Sequence, residues 1–120
     1  MVSSDTADGS HVISAFTQPT LSGEDRVSVL LLSFECAAGL NLQTCSHNVI
    51  LYAPLFSRSD PVAAVAKEQQ AIGRVWRYGQ TQKVKVHRLV LQGPKGKPTV
   101  DQALIARNTD AELLQQASNW

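Results

Sequence analysis

Acidic residues are missing from one long stretch of this 120-residue chain: none lies between Gln69 and Val100. That window holds Arg74, Arg77, Lys83, Lys85, Arg88, Lys95 and Lys97, seven of the eleven Lys and Arg residues. The formal charge of +1 hides this asymmetry. Such a field favours a polyanion, nucleotide or nucleic acid, with a solvated basic surface as the plain alternative. Cysteine is scarce. Cys36 and Cys45 lack metal-type spacing and read as small reduced core thiols of an intracellular protein. No stretch approaches the ~18 apolar residues of a membrane span, and the polar first ten residues lack the apolar centre of a secretory signal. His11, His47 and His87 are isolated and read as ordinary surface or core histidines. Hydrophobic content of 43% and charged content of 18% are ordinary for a soluble globular chain of at most one domain.

Along the chain, Met1 to Ser10 is Ser/Asp-rich and reads as a disordered N-terminal segment. His11 to Phe16 has apolar residues at near-helical spacing, and Gln18 to Asp25 reads as a loop. Val27 to Ser33 and Asn48 to Ala53 are nearly continuous apolar runs, which a parallel sheet covered on both faces requires. Asp60 caps a helix that Pro61 opens. Val62, Val65, Ala66, Ile72, Val75 and Trp76 are expected to form its buried stripe, and Gly79 to end it. Lys83 to Val90 alternates as a strand, Gly93 to Pro98 is a loop, and Thr99 to Gln102 is a capping box. The last helix would bury Ala103, Leu104, Leu113 and Leu114, with a break at Asn108-Thr109-Asp110. The order strand, loop, strand, helix, strand, helix is an α/β pattern with a mainly parallel sheet.

The richest segment is Gln69 to Leu89. On a helix Gln70, Arg74 and Arg77 are spaced i, i+4, i+7, so an amide and two guanidiniums share one face. Paired arginines at a helix end suit a highly charged anion such as a triphosphate, because the planar fork binds phosphate bidentately. A solvated basic helix face is the bland alternative. Trp76 and Tyr78 lie close enough to stack on a base, but core packing is the stronger reading for Trp76. Ser33 lacks a nearby base and reads as a strand-end hydroxyl rather than a nucleophile. The four lysines Lys83, Lys85, Lys95 and Lys97 read as a solvated face, with DNA phosphate contact as the alternative.

Gln70-Ala-x-x-Arg74-x-x-Arg77-x-Gly79-Gln80, followed by Val84-x-Val86-x-Arg88, resembles the last motif of Swi/Snf-type helicase-like ATPases of superfamily two. Gly39-Leu-Asn-Leu-Gln43 before Val49-Ile-Leu-Tyr52 resembles the preceding motif. Trp76 stands where that family typically has His, and Gly73 where it often has Asp. The resemblance implies a partial helicase C-terminal RecA-like lobe over 11–104, three-layered and of P-loop NTPase type, with a helical tail over 105–120. It implies Arg77 as arginine finger, Arg74 as a γ-phosphate or interlobe contact, and Gln70, Gly39 and Asn41 on the nucleotide side. Ser33 would face the DNA backbone. It also implies ATP and Mg²⁺ as cofactors, double-stranded DNA or chromatin as partner, and a nuclear location.

The phosphate-cradling Gly-x-x-x-x-Gly-Lys-Ser/Thr loop and the acidic Mg²⁺ box are absent. Both belong to an N-terminal lobe, which would have to act in cis or in trans. Alone, the chain is not expected to hydrolyse ATP. A non-catalytic nucleic-acid-binding or interaction module, or an inactive truncated product, remain as alternatives.

Overall fold

The computed structural model describes residues 9–18 and 27–119. Its elements run α1 (Gly9–Thr17), α2 (Phe34–Ala37), β1 (Asn48–Leu51), α3 (Pro61–Gly73), β2 (Lys85–Arg88) and α4 (Val100–Ser118). The chain is mixed α/β with a small parallel sheet of two strands, β1 and β2. Asn48 faces Lys85 and Leu51 faces Arg88. Parallel neighbours cannot be joined by a tight turn, so α3 supplies the crossover. The expected loop over Gln18 to Asp25 and the frayed N-terminus fall largely outside the described residues. Gly9 and Ser10 already belong to α1.

The α3 start follows its sequence signals. Asp60 accepts a hydrogen bond from the Ala63 N–H at 3.0 Å, and Pro61 takes the first position, where no N–H is needed. The α4 start does likewise: Thr99 accepts from the Gln102 N–H while the Gln102 side chain accepts from the Thr99 N–H.

Four expectations need correction. Val27 to Ser33 forms no strand; it carries only an isolated bridge at Leu32. The helix carrying the arginines stops at Gly73, well before Gly79. Glycine lowers helix propensity by ~1 kcal/mol, and beyond it the hydrogen bonds tighten to three-residue spacing at Arg74 and Val75. The buried stripe is therefore different: Ala64, Glu68 and Val75 are buried, whereas Ala66 and Trp76 are exposed. Finally, α4 does not break at Asn108. The Asn108 amide donates to the Leu55 carbonyl at 3.2 Å instead of competing for its own backbone.

The core is thin. Ala37, Leu42, Leu51, Ala64 and Val75 are its buried apolar residues, and no large side chain is fully buried among the described residues. Every residue of β2 is exposed. On α4, Leu113 and Leu114 are exposed rather than buried, and Ala103 is exposed too. Arg107 donates to the Ser57 and Arg58 carbonyls at 2.7 and 2.8 Å and lies over the Phe56 ring. Both thiols are free but neither is core: Cys36 is half-buried and Cys45 exposed. Local burial of the sulfur still pushes the Cys45 thiol above its ordinary range.

Candidate functional site

Once α3 stops, its last carbonyls leave the helix ladder and need other partners. The segment from Asn41 to Ser46 supplies them. The Leu42 N–H donates to the Arg74 carbonyl at 3.0 Å. The Gln80 amide donates to both the Val75 carbonyl (3.0 Å) and the Ser46 carbonyl (2.9 Å), so one side chain rivets the two segments together. Gln43 donates to the Tyr78 carbonyl at 3.4 Å. Gly79 turns the chain at φ +95°, a left-handed conformation that glycine adopts without strain. A side chain there would also meet Gln43. Two segments separated by more than thirty residues are thus laced into one surface.

On that surface the Arg77 Nη1 donates to Asn41 Oδ1 at 2.6 Å. Two residues singled out from separate motifs are in direct contact. The partner is a neutral amide, so the guanidinium keeps its full charge and most of its N–H groups. Arg74 contributes its carbonyl to the lacing, while its buried Nε has no hydrogen-bond partner among the described residues. An unpaired buried guanidinium N–H is costly. Gly39 sits at φ +80° two residues before Asn41, with open space where a Cβ would project.

Other expected site residues are not gathered here. Arg74 and Arg77 do not share a helical face with Gln70, because Arg74 is the C-terminal cap of α3 and Arg77 lies beyond it. Gln70 is exposed on the last turn of α3, without a hydrogen bond to either arginine among the described residues. Ser33 is the N-cap of α2, accepting from the Cys36 N–H at 3.4 Å. As an acceptor there it keeps its O–H donor free. Trp76 is 73% exposed beside Arg77, because the helix that would have turned it inward has already ended.

Sequence reasoning missed the ion pair between α3 and β2. Glu68, 6% exposed, receives Arg88 through two hydrogen bonds of 2.6 and 3.2 Å. It also accepts from the Leu55 N–H at 3.2 Å. The hydrogen bond to Glu68, opposed by partial burial, raises the Arg88 pKa further above its already high value. The available signal was that Glu68 is the only acid of α3 and Arg88 ends the strand beside it. Among the described residues no cluster of three or more His, Cys, Asp or Glu side chains could hold a metal ion. Nor is any helix among them long and apolar enough to cross a membrane.

Comparison with known proteins gives partial matches. The chain is 40% identical over 104 residues to DNA (cytosine-5-)-methyltransferase DMT5 of Cryptococcus neoformans, covering 86% of this chain and 4% of that protein. It is 34% identical over 89 residues to DNA repair protein RAD5 of Eremothecium gossypii, covering 73% of this chain and 7% of the relative. The RAD5 of Candida albicans is 35% identical over 86 residues, covering 71% and 7% respectively. The chain thus spans only 4% to 7% of the length of these curated relatives. No family model matches, and no solved structure matches. These relatives are thus named as DNA repair and DNA-methylating proteins, and the likeness is to a small part of each.

Proposed function

We propose that this chain is part of the C-terminal RecA-like lobe of an ATP-dependent DNA translocase or helicase-like repair ATPase. In this reading Arg77 and Arg74 face the phosphates of ATP held chiefly by a separate N-terminal lobe. The observation that carries the reading is the Arg77–Asn41 contact at 2.6 Å, set in a surface laced from both motif segments. Arg74 supports it by its place, since its carbonyl accepts from the Leu42 N–H and so ties the segment carrying both arginines to the segment carrying Asn41. Partial homology to DNA repair proteins supports DNA as the wider partner, and a nuclear location goes with that partner.

Asn41 restrains the Arg77 guanidinium from one side, which leaves the remaining N–H groups for phosphate oxygens. Arg77 would neutralise charge on the transferred phosphoryl group only when the two lobes close. Metal chemistry would be supplied from outside the described residues, which carry no cation-holding cluster. ATP occupancy then favours the closed arrangement and hydrolysis releases it, which couples the nucleotide to movement along DNA.

The test combines this chain with a lobe bearing the phosphate-binding loop, in cis or in trans. ATPase activity is expected with the native chain and a loss of about 10³-fold or more with Arg77→Ala. Equal activity of the two would overturn the reading. The second reading, a nucleic-acid-binding module without chemistry, is favoured by the acid-free window from Gln69 to Val100. It expects salt-dependent DNA binding unchanged by ATP.

A further inference from the structure

Arg77 and Asn41 are both exposed, so burial does not hold their side chains together. Their meeting at 2.6 Å depends on where the backbone puts each of them. Asn41 leads into a closed turn, in which the Cys45 and Ser46 N–H groups donate to the Leu42 carbonyl at 3.2 and 2.9 Å. A turn closed in this way moves as one piece, so whatever fixes Ser46 also fixes Asn41. One backbone hydrogen bond, from the Leu42 N–H to the Arg74 carbonyl at 3.0 Å, joins it to the segment carrying Arg77. A single bond is a pivot, and a second attachment is needed to stop rotation about it. The contact of Gln43 with Tyr78 is long, at 3.4 Å, and exposed.

Gln80 makes the stronger second attachment. Its amide nitrogen donates to the Ser46 carbonyl at 2.9 Å and to the Val75 carbonyl at 3.0 Å. Its Oε1 accepts from the Gln82 N–H at 2.9 Å, so all three bonds agree on one orientation of the amide. The side chain is half-buried, where such bonds are stronger than in open water. We propose that Gln80 is a positioning residue for Arg77: by fixing Ser46 against Val75 it sets how closely Asn41 meets the guanidinium. The assignment rests on the reading of Arg77 as a phosphate-facing group and adds to it the residue that sets its aim. Shape alone does not suffice here, because both carbonyls need a donor and methionine, of similar size, offers none.

The experiment uses the chain joined to a lobe bearing the phosphate-binding loop and measures kcat and KM for ATP hydrolysis. Gln80→Met is expected to lower kcat on the order of tenfold, with KM for ATP nearly unchanged. Gln80→Lys carries three N–H donors on one nitrogen, enough for both carbonyls, and should recover most of the loss. In an Asn41→Ala background Gln80→Met should cost nothing further, because the contact it sets is already gone. A residue that only stabilised the fold would instead multiply the two losses. Multiplied losses, or a native kcat in Gln80→Met, overturn the proposal while leaving the Arg77 reading intact. Arg77→Ala as active as the native chain removes that reading and the proposal with it. Should circular dichroism show Gln80→Met unfolded, Gln80→Asn decides in its place: it keeps the amide, stops one methylene short of the two carbonyls, and carries the same expectations.

Discussion

At the level of single residues, Asn41 is the clearest case of a role that spacing alone could not assign. Its amide holds Arg77 at 2.6 Å, and nothing else in the described residues restrains that guanidinium. Asn41→Ala should therefore leave the charge in place and loosen its aim. Paired with a complementary lobe, this variant is expected to lose about ten- to a hundred-fold in kcat, well short of the loss for Arg77→Ala, with KM for ATP changing less. Asn41→Asp is the sharper probe: a carboxylate at that distance would neutralise Arg77 and cost more than Asn41→Ala. Equal rates for Asn41→Ala and the native chain would show that the contact is incidental. Arg77 and Asn41 stood out in the sequence as members of two ordered motifs, but that they touch is visible only in the structure. The fate of Trp76 was not legible, because helical periodicity placed it inward on a helix that ends three residues earlier. Ser33 contacts backbone through its hydroxyl, as expected, but as a helix cap and not at a strand end, because a hydroxyl before a short run can do either.

Among the elements, starts were easier to read than stops. Asp60-Pro61 and the Thr99–Gln102 box are local chemistry, satisfied within one turn, so α3 and α4 begin where their caps are. The end of α3 depends on non-local partners, the Leu42 N–H and the Gln80 amide, which no periodic pattern reveals. Continuity of α4 through Asn108 depends on a carbonyl at Leu55, again distant in sequence. The pairing of Glu68 with Arg88 belongs to this scale because it fastens α3 to β2. Arg88→Ala would strand a carboxylate that is 6% exposed, although it keeps the Leu55 N–H. The expected cost is about 1–3 kcal/mol by urea denaturation, with Arg88 itself one-third exposed and the pair correspondingly screened. Glu68→Gln with Arg88→Ala together should cost less than the sum of the singles. Strict additivity would mean that the two side chains act independently and that the sheet is held by backbone pairing alone.

The whole chain is held less tightly than its length permits. Among the described residues the buried apolar side chains named above are small or medium-sized, and no large one is fully buried. Purely parallel sheets are found covered on both faces, yet β2 is exposed throughout, and Ile50 and Val86 are bare on the sheet. Two parallel strands are too few to be stable in water without packing on another layer. These facts agree with a body that completes its core against further protein, as the proposed two-lobed ATPase requires. The chain alone is therefore expected to melt broadly, with a small heat-absorption peak, and to bind the apolar-surface dye ANS. Joined to its complementary lobe it should release the dye and melt more sharply. Each 1 kcal/mol gained on joining should raise Tm by about 2–4 °C in a body of that larger size. Scanning calorimetry and ANS fluorescence on the two forms decide the matter. A sharp transition without dye binding in the chain alone would mean that the bare sheet is a native solvent face, and the pairing with a second lobe would lose its structural reason.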